Sequence, residues 1–217
     1  MRYTYRDGVG KKGRSKLRFV AALVVMFGGV YLLVNTLSPA LPEMNVDTQA
    51  VAKKLIAEQP AVGENRIYLP QINVDVPVVD INGNETAALE KGAIHRAPSS
   101  GNPQVGGNYV VAAHRFNLGL TPDQTRAKSP FYHIDKLALG DQIYIDYNGK
   151  RYAYQVTEKK AVAENAVEIE SRTDDDRLTL YSCELAGPKA GRDVVFAKLL
   201  GEVAWQGNKP VIKSKQS

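Results

Sequence analysis

The chain has 217 residues, 44% of them hydrophobic, enough for one ordinary domain and an appendage. Its formal charge of +5 misleads: residues 1–18 hold seven basic residues and one acid, and the segment from Trp205 holds three lysines, so residues 19–204 carry a net −4. A nucleic-acid domain concentrates basic charge on its folded part, which this chain does not do. The single cysteine excludes an internal disulfide framework, and with three histidines it shows no zinc-ligand spacing.

The appendage comes first. Phe19 to Leu37, "FVAALVVMFGGVYLLVNTL", has no charge and approaches the roughly 20 residues that cross a bilayer as a helix. Basic residues precede it and Glu43 and Asp47 follow, so by the positive-inside tendency residues 1–18 form a cytoplasmic segment, residues 19–37 an anchor, and the rest is exported. Ser38 to Ala40 loosely resembles a signal-peptide cleavage site, but the apolar run is too long for a typical signal-peptide core. Residues 38–65 read as a stalk in which Asp47 caps a short amphipathic helix that ends at Pro60.

From Arg66 the chain becomes strand-like: "RIYLP", "INVDVPVVD", "GNYVVAAH", "DQIYIDYNG", "KRYAYQVTEKKAV", "DRLTLYSC" and "RDVVFAKLLGEV". Short Val-, Ile- and Tyr-rich runs between Gly, Asn, Asp and Pro turns predict an all-β domain over 66–204, an antiparallel barrel or sandwich. Asn148-Gly149 marks a tight hairpin. "ETAALEKG" predicts a turn or two of helix after Asn84, and "SPFYHIDKL" a shorter one. Residues 205–217 read as a polar, basic tail.

Cys183 closes one of these strands and Arg192 opens the next. If the two form a hairpin, period-two alternation gathers Leu178, Leu180, Val195, Ala197 and Leu199 on one face. The other face then carries Thr179, Tyr181 and Cys183 beside Arg192, Val194 and Phe196, with sulfur and guanidinium directly opposed. A thiol nucleophile also needs a group that takes and returns a proton. His114, at the end of "NYVVAAH", is the best placed; His133 reads as a packing or surface residue and His95 as intermediate. Taken one at a time, a strand cysteine reads as filler, a strand-end histidine as structural and an arginine after a glycine loop as a solvated charge.

The joint pattern is different. The chain resembles the sortases, the membrane-anchored cysteine transpeptidases of bacterial surfaces: "TLYSC" is similar to their Thr-Leu-x-Thr-Cys strand, "VVAAHR" to the segment holding their histidine, and Arg192 to the arginine of their next strand. "IYLPQINVDVPVV" and "FYHIDKLALGDQIYI" match other stretches in the same order, from about Arg66 to about Val203. The resemblance implies an eight-stranded antiparallel β-barrel with short helices. It also implies that Cys183 cleaves a Leu-Pro-x-Thr-Gly-like sorting signal between Thr and Gly through a thioester, that His114 is general acid and base, and that Arg192 steadies substrate and oxyanion. The acyl acceptor would be an amine, of a cell-wall precursor or a pilin lysine.

Ser182 stands where the family has Thr and is expected to adjust substrate contacts; His95 loosely matches a second histidine of some members, which makes it a substrate-binding candidate, but the structural reading of His95 is preferred. No cofactor is required by the resemblance, although some relatives bind calcium through acidic loops, for which Glu164, Glu168 and Asp174 are the weak candidates here. The Asp-Pro-aromatic anchor of a pilin-type lid does not occur between Ser38 and Arg66, which points to the general anchoring type. Two alternatives stand beside this reading. An L,D-transpeptidase places His-Gly before its cysteine, where this chain has Tyr181 and Ser182; a membrane-tethered binding domain would use Cys183 only as filler.

Overall fold

The computed structural model describes residues 11–41, 58–183, 185, 187–206 and 209–214. Helix α1, Lys11–Leu37, is followed by a single 3-10 turn, Ser38–Ala40. None of its most apolar stretch is buried among the described residues. At 1.5 Å per residue the uncharged run spans roughly 28 Å, close to the thickness of a hydrocarbon core. The stalk helix expected at Asp47 lies outside the described residues.

Ten strands follow: β1 Arg66–Leu69, β2 Val74–Asp80, β3 Ala93–His95, β4 Gly101–Asn102, β5 Gly106–Ala112, β6 Gln142–Tyr147, β7 Lys150–Val162, β8 Arg177–Cys183, β9 Arg192–Gln206 and β10 Lys209–Lys213. Two short helices interrupt them, α2 Glu85–Leu89 and α3 Pro122–Ala127. Eight strands close a ring in the order β1-β2-β3-β5-β8-β9-β7-β6 and back to β1, with β4 and β10 added at its edges. The all-β architecture behind an apolar N-terminal helix is therefore as the sequence predicts.

Two details differ. The seams β2–β3 and β5–β8 are parallel, where a wholly antiparallel barrel was expected. Strands that leave and re-enter the ring through a crossover return in the same direction, and α2 and the β6–β7 hairpin provide those crossovers. The segment after Trp205, read as a polar tail, instead adds β10 as an edge strand against β9. Its Pro210 obscures it in the sequence, and an edge is where a sheet tolerates proline.

Alternation builds two layers. Ile67, Leu69, Tyr109, Val111, Ile143, Ile145, Leu178, Leu180, Val195 and Ala197 fill the inside of the ring. Outside it, Ile94, Val110, Ala112, Tyr181, Val194 and Phe196 pack under Ala88 of α2 and Ile169 of the 3-10 turn Val167–Glu170. Strands β5, β8 and β9 are covered on both faces for this reason, and their sequences are apolar almost throughout. The Asn148-Gly149 turn has both residues at positive φ, 48° and 75°, as a two-residue hairpin requires.

A buried ion pair joins β6 to β7. Arg151 meets Asp146 through Nε at 2.6 Å and Nη2 at 2.7 Å, both side chains 2% exposed. Tyr68 donates to the same carboxylate at 2.9 Å and lies under the guanidinium. Removing one partner strands the other charge in the interior. We expect Asp146→Ala to lower stability in urea unfolding by about 3–5 kcal/mol, and the double change Asp146→Leu with Arg151→Met to restore most of it.

Candidate active site

The β8–β9 register sets Cys183 directly opposite Arg192. Arg192 Nη1 lies 3.6 Å from Cys183 Sγ, and both residues are half-buried. Gly191, immediately before the arginine, has φ 129°, a conformation that a side chain would strain, and it turns the loop back into β9. Because Leu178 and Leu180 point inward with Val195 and Ala197, the outer face receives Tyr181, Cys183, Arg192, Val194 and Phe196, as the alternation predicts.

His114 arrives from β5, the other neighbour of β8. It lies two residues beyond the end of the strand, its backbone held where Ala113 N–H donates to the Tyr181 carbonyl at 3.3 Å and Phe131 N–H to the His114 carbonyl at 3.2 Å. Ala113 points into the core and Ala112 outward, so the alternation carries His114 to the outer side that bears Cys183. Its Nε2 is buried without a hydrogen-bond partner among the described residues. Burial holds the imidazole below its ordinary pKa; nearby Glu90 pulls it back up and Lys128 pushes it further down. Glu90 in turn pairs with Lys128 at 2.5 Å and accepts from Asn117 at 2.6 Å, which ties the segment after His114 to the end of α2.

Arg115 carries no sequence signal of its own beyond its place in "VVAAHR". It is buried, bonded to Asp193 through Nη1 and to Asp135 through Nη2 at 2.8 Å. Asp193 adjoins Arg192, so one guanidinium locks the histidine segment to the start of the arginine strand. The signal was available as two adjacent pairs, His-Arg and Arg-Asp, of opposite charge at the tips of strands that share β8 as a neighbour.

Other candidates fall elsewhere. His95 is buried beneath β5, edge-on to Tyr109 at 4.7 Å and 3.5 Å from Asp80 through Nδ1. Ser182 is 1% exposed and alternates with Leu178 and Leu180, so it faces the core behind Cys183. Neither has a surface to offer a substrate in this arrangement. Glu164, Glu168 and Asp174 are not gathered into a group of three carboxylate, histidine or cysteine side chains among the described residues. His133 stacks edge-on against Tyr132 and lines a cavity of about 700 Å³ beside Pro39 and Leu41, which does not include Cys183 or Arg192.

A family model described as the sortase domain matches residues 67–200. Sortase A of Listeria monocytogenes is 31% identical over 132 residues, 58% of this chain and 55% of that protein. Sortase A of Bacillus anthracis is 27% identical over 160 residues, 73% of this chain and 69% of that protein. The solved structure of the Listeria monocytogenes protein superposes with a TM-score of 0.55 at 27% identity, covering 71% of this chain and 93% of that one. The chain thus spans little more than half the length of the first of these relatives.

Two outcomes follow from this geometry. In an NMR titration His114 should protonate below the ordinary imidazole midpoint, and Lys128→Ala should raise that midpoint, since it removes a like charge and frees Glu90. Because the folded pKa is depressed, the contribution of His114 to stability is present above the unfolded value and is lost as pH falls below it. Arg115→Met should cost on the order of 2 kcal/mol in unfolding, and it should broaden the His114 ring resonances as the segment loosens.

Proposed function

This chain belongs to the sortase family, and from that premise we propose that it is a cysteine transpeptidase of the cell surface, with Cys183 as nucleophile, His114 as general acid and base, and Arg192 as the cationic stabiliser. The observation that carries the reading is the guanidinium 3.6 Å from the only sulfur on a register-fixed pair of strands, with an imidazole delivered to the same face.

The Cys183 thiolate attacks the carbonyl carbon between Thr and Gly of a Leu-Pro-x-Thr-Gly-like sorting signal. The carbonyl becomes a tetrahedral oxyanion, toward which Arg192 Nη1–H points positive charge in a partly desolvated groove. Collapse breaks the C–N bond, and the leaving glycine amine takes the proton carried by the His114 imidazolium. A thioester on Cys183 remains. An incoming amine attacks it while neutral His114 accepts a proton from that amine, and the C–S bond breaks to restore thiolate and imidazolium. An imidazole held below its usual pKa releases its proton to the leaving amine readily.

The acceptor class follows from location. The α1 span would hold the domain on the outer membrane surface, beside lipid-borne cell-wall precursors that carry free amines. The relatives named sortase A and the lack of an Asp-Pro-aromatic lid sequence between Ser38 and Arg66 both support general anchoring over pilus polymerisation.

The expected result with a sorting-signal peptide is a mass adduct on Cys183 and its complete loss in Cys183→Ala. Arg192→Ala should retain the thiol but lower kcat by roughly 10²–10³-fold, the usual loss for one oxyanion donor. Turnover that survives Cys183→Ala, or binding of a surface protein that is unchanged by it, would replace the enzyme with a tethered binding domain.

A further inference from the structure

The end of α1 is bonded to the segment that carries His114. Tyr31 donates its hydroxyl to the Leu120 carbonyl, and Asn35 Nδ2 donates to the Gly119 carbonyl at 2.8 Å. Thr125 Oγ1 donates to Asn35 Oδ1 at 2.6 Å. Ser38 Oγ donates to the Pro122 carbonyl at 3.1 Å, and Arg126 Nε to the Ser38 carbonyl at 3.1 Å. Asn35, Ser38 and Thr125 are fully buried in this joint. A membrane helix must pair its polar groups internally or with protein, and these are paired with residues 119–126.

The contact reaches up the helix beyond its exit. Tyr31 precedes Leu37 by six residues, roughly 9 Å along the axis, so the Leu120 carbonyl lies level with the apolar span. Tyrosine has an apolar body and a polar tip, and here the tip of Tyr31 is paired by the Leu120 carbonyl while its ring stays with the apolar helix. On the docked segment, Leu120 is 77% exposed, Leu118 46% and Phe116 37%. In water these side chains cost free energy with no return. Beside a helix whose most apolar stretch is left unburied among the described residues, they continue a single lipid-facing surface.

We propose that Leu118 and Leu120 dip into the outer interfacial layer of the bilayer that α1 crosses, so that the segment bearing His114 rides on the membrane and the site is held at a fixed height above it. The partner is the lipid interface itself. The proposal rests on the reading of α1 as a membrane span, and its test separates the two.

The full chain carrying Trp205→Phe is placed in vesicles of phosphatidylcholine with brominated acyl chains, with a single tryptophan introduced by Phe27→Trp, Leu120→Trp or Val167→Trp. Phe27 reports on the span. Val167 is exposed and sits at the far end of β5 from His114, where Asn108 bonds the Ile169 carbonyl. The expected result is that the Phe27→Trp and Leu120→Trp proteins lose most of their emission relative to unbrominated vesicles, with a blue-shifted Leu120→Trp spectrum, while the Val167→Trp protein is unaffected. Quenching at position 27 without quenching at 120 would overturn the dipping segment and leave the anchor standing. No quenching at either would overturn the anchor and the proposal together, and quenching at all three would overturn the fixed orientation.

Discussion

Leu178 and Leu180 on β8 pack inside the ring against Val195 and Ala197 of β9, and the placement of the thiol beside the guanidinium depends on that packing. A slip of one residue would turn both leucines outward, at about 1.5–3 kcal/mol each, and would drive Arg192 into an apolar interior. The register is therefore enforced by residues that never touch a substrate. The opposition of Cys183 and Arg192 is a by-product of core alternation, which makes it rigid without any dedicated bond between them beyond the 3.6 Å contact. β8 is also the shared neighbour of β5 and β9, so the strand that bears sulfur is the one on which the two other groups converge.

The parts of this arrangement that were readable in the sequence are those that local chemistry decides. The Asn148-Gly149 hairpin needs two residues at positive φ, and that dipeptide supplies them. Asn84 caps α2 by accepting from Ala87 N–H at 3.0 Å, the role its position before "ETAALEKG" suggests. The β8–β9 pairing was legible because a short loop joins the strands and alternation leaves one sensible register. The parallel seams were not, since nothing in β5 or β8 alone says which strand will lie alongside after a long crossover. Ser182 and His95 show how far motif matching reaches: a family position suggested substrate contact for Ser182, and a loose match set a functional role for His95 beside the favoured structural one, while alternation turns both toward the core.

The segment from His114 to Ala127 is a junction. At one end Arg115 ties it to Asp193 beside Arg192 and to Asp135; further on Asn117 ties it to Glu90, which also pairs with Lys128 just past the segment; at the other end, Thr125 ties it to Asn35 of the apolar helix. A loop of this length would normally be the mobile part of a β domain. Here several of its polar side chains are spent on tethers to three other elements, while Phe116, Leu118 and Leu120 are its large apolar side chains left exposed. Tethers of high sequence separation leave no local pattern, so none of them is visible in the sequence of this stretch.

The electrostatics of the face follow from the same economy of placement. An imidazole in partly buried surroundings binds a proton weakly, and Lys128 weakens it further while Glu90 partly compensates. In the proposed reaction this favours proton delivery to a departing amine over proton storage between turnovers. The thiolate is the form of a cysteine that oxidants attack, and an unpaired thiol is open to that chemistry. The lone cysteine of this chain has no partner with which to form a protective disulfide. In the proposed reaction the guanidinium 3.6 Å from the sulfur would act on charge that develops at the carbonyl, and the imidazole on the neighbouring strand would give up its proton readily, so the two groups would serve successive moments of one turnover.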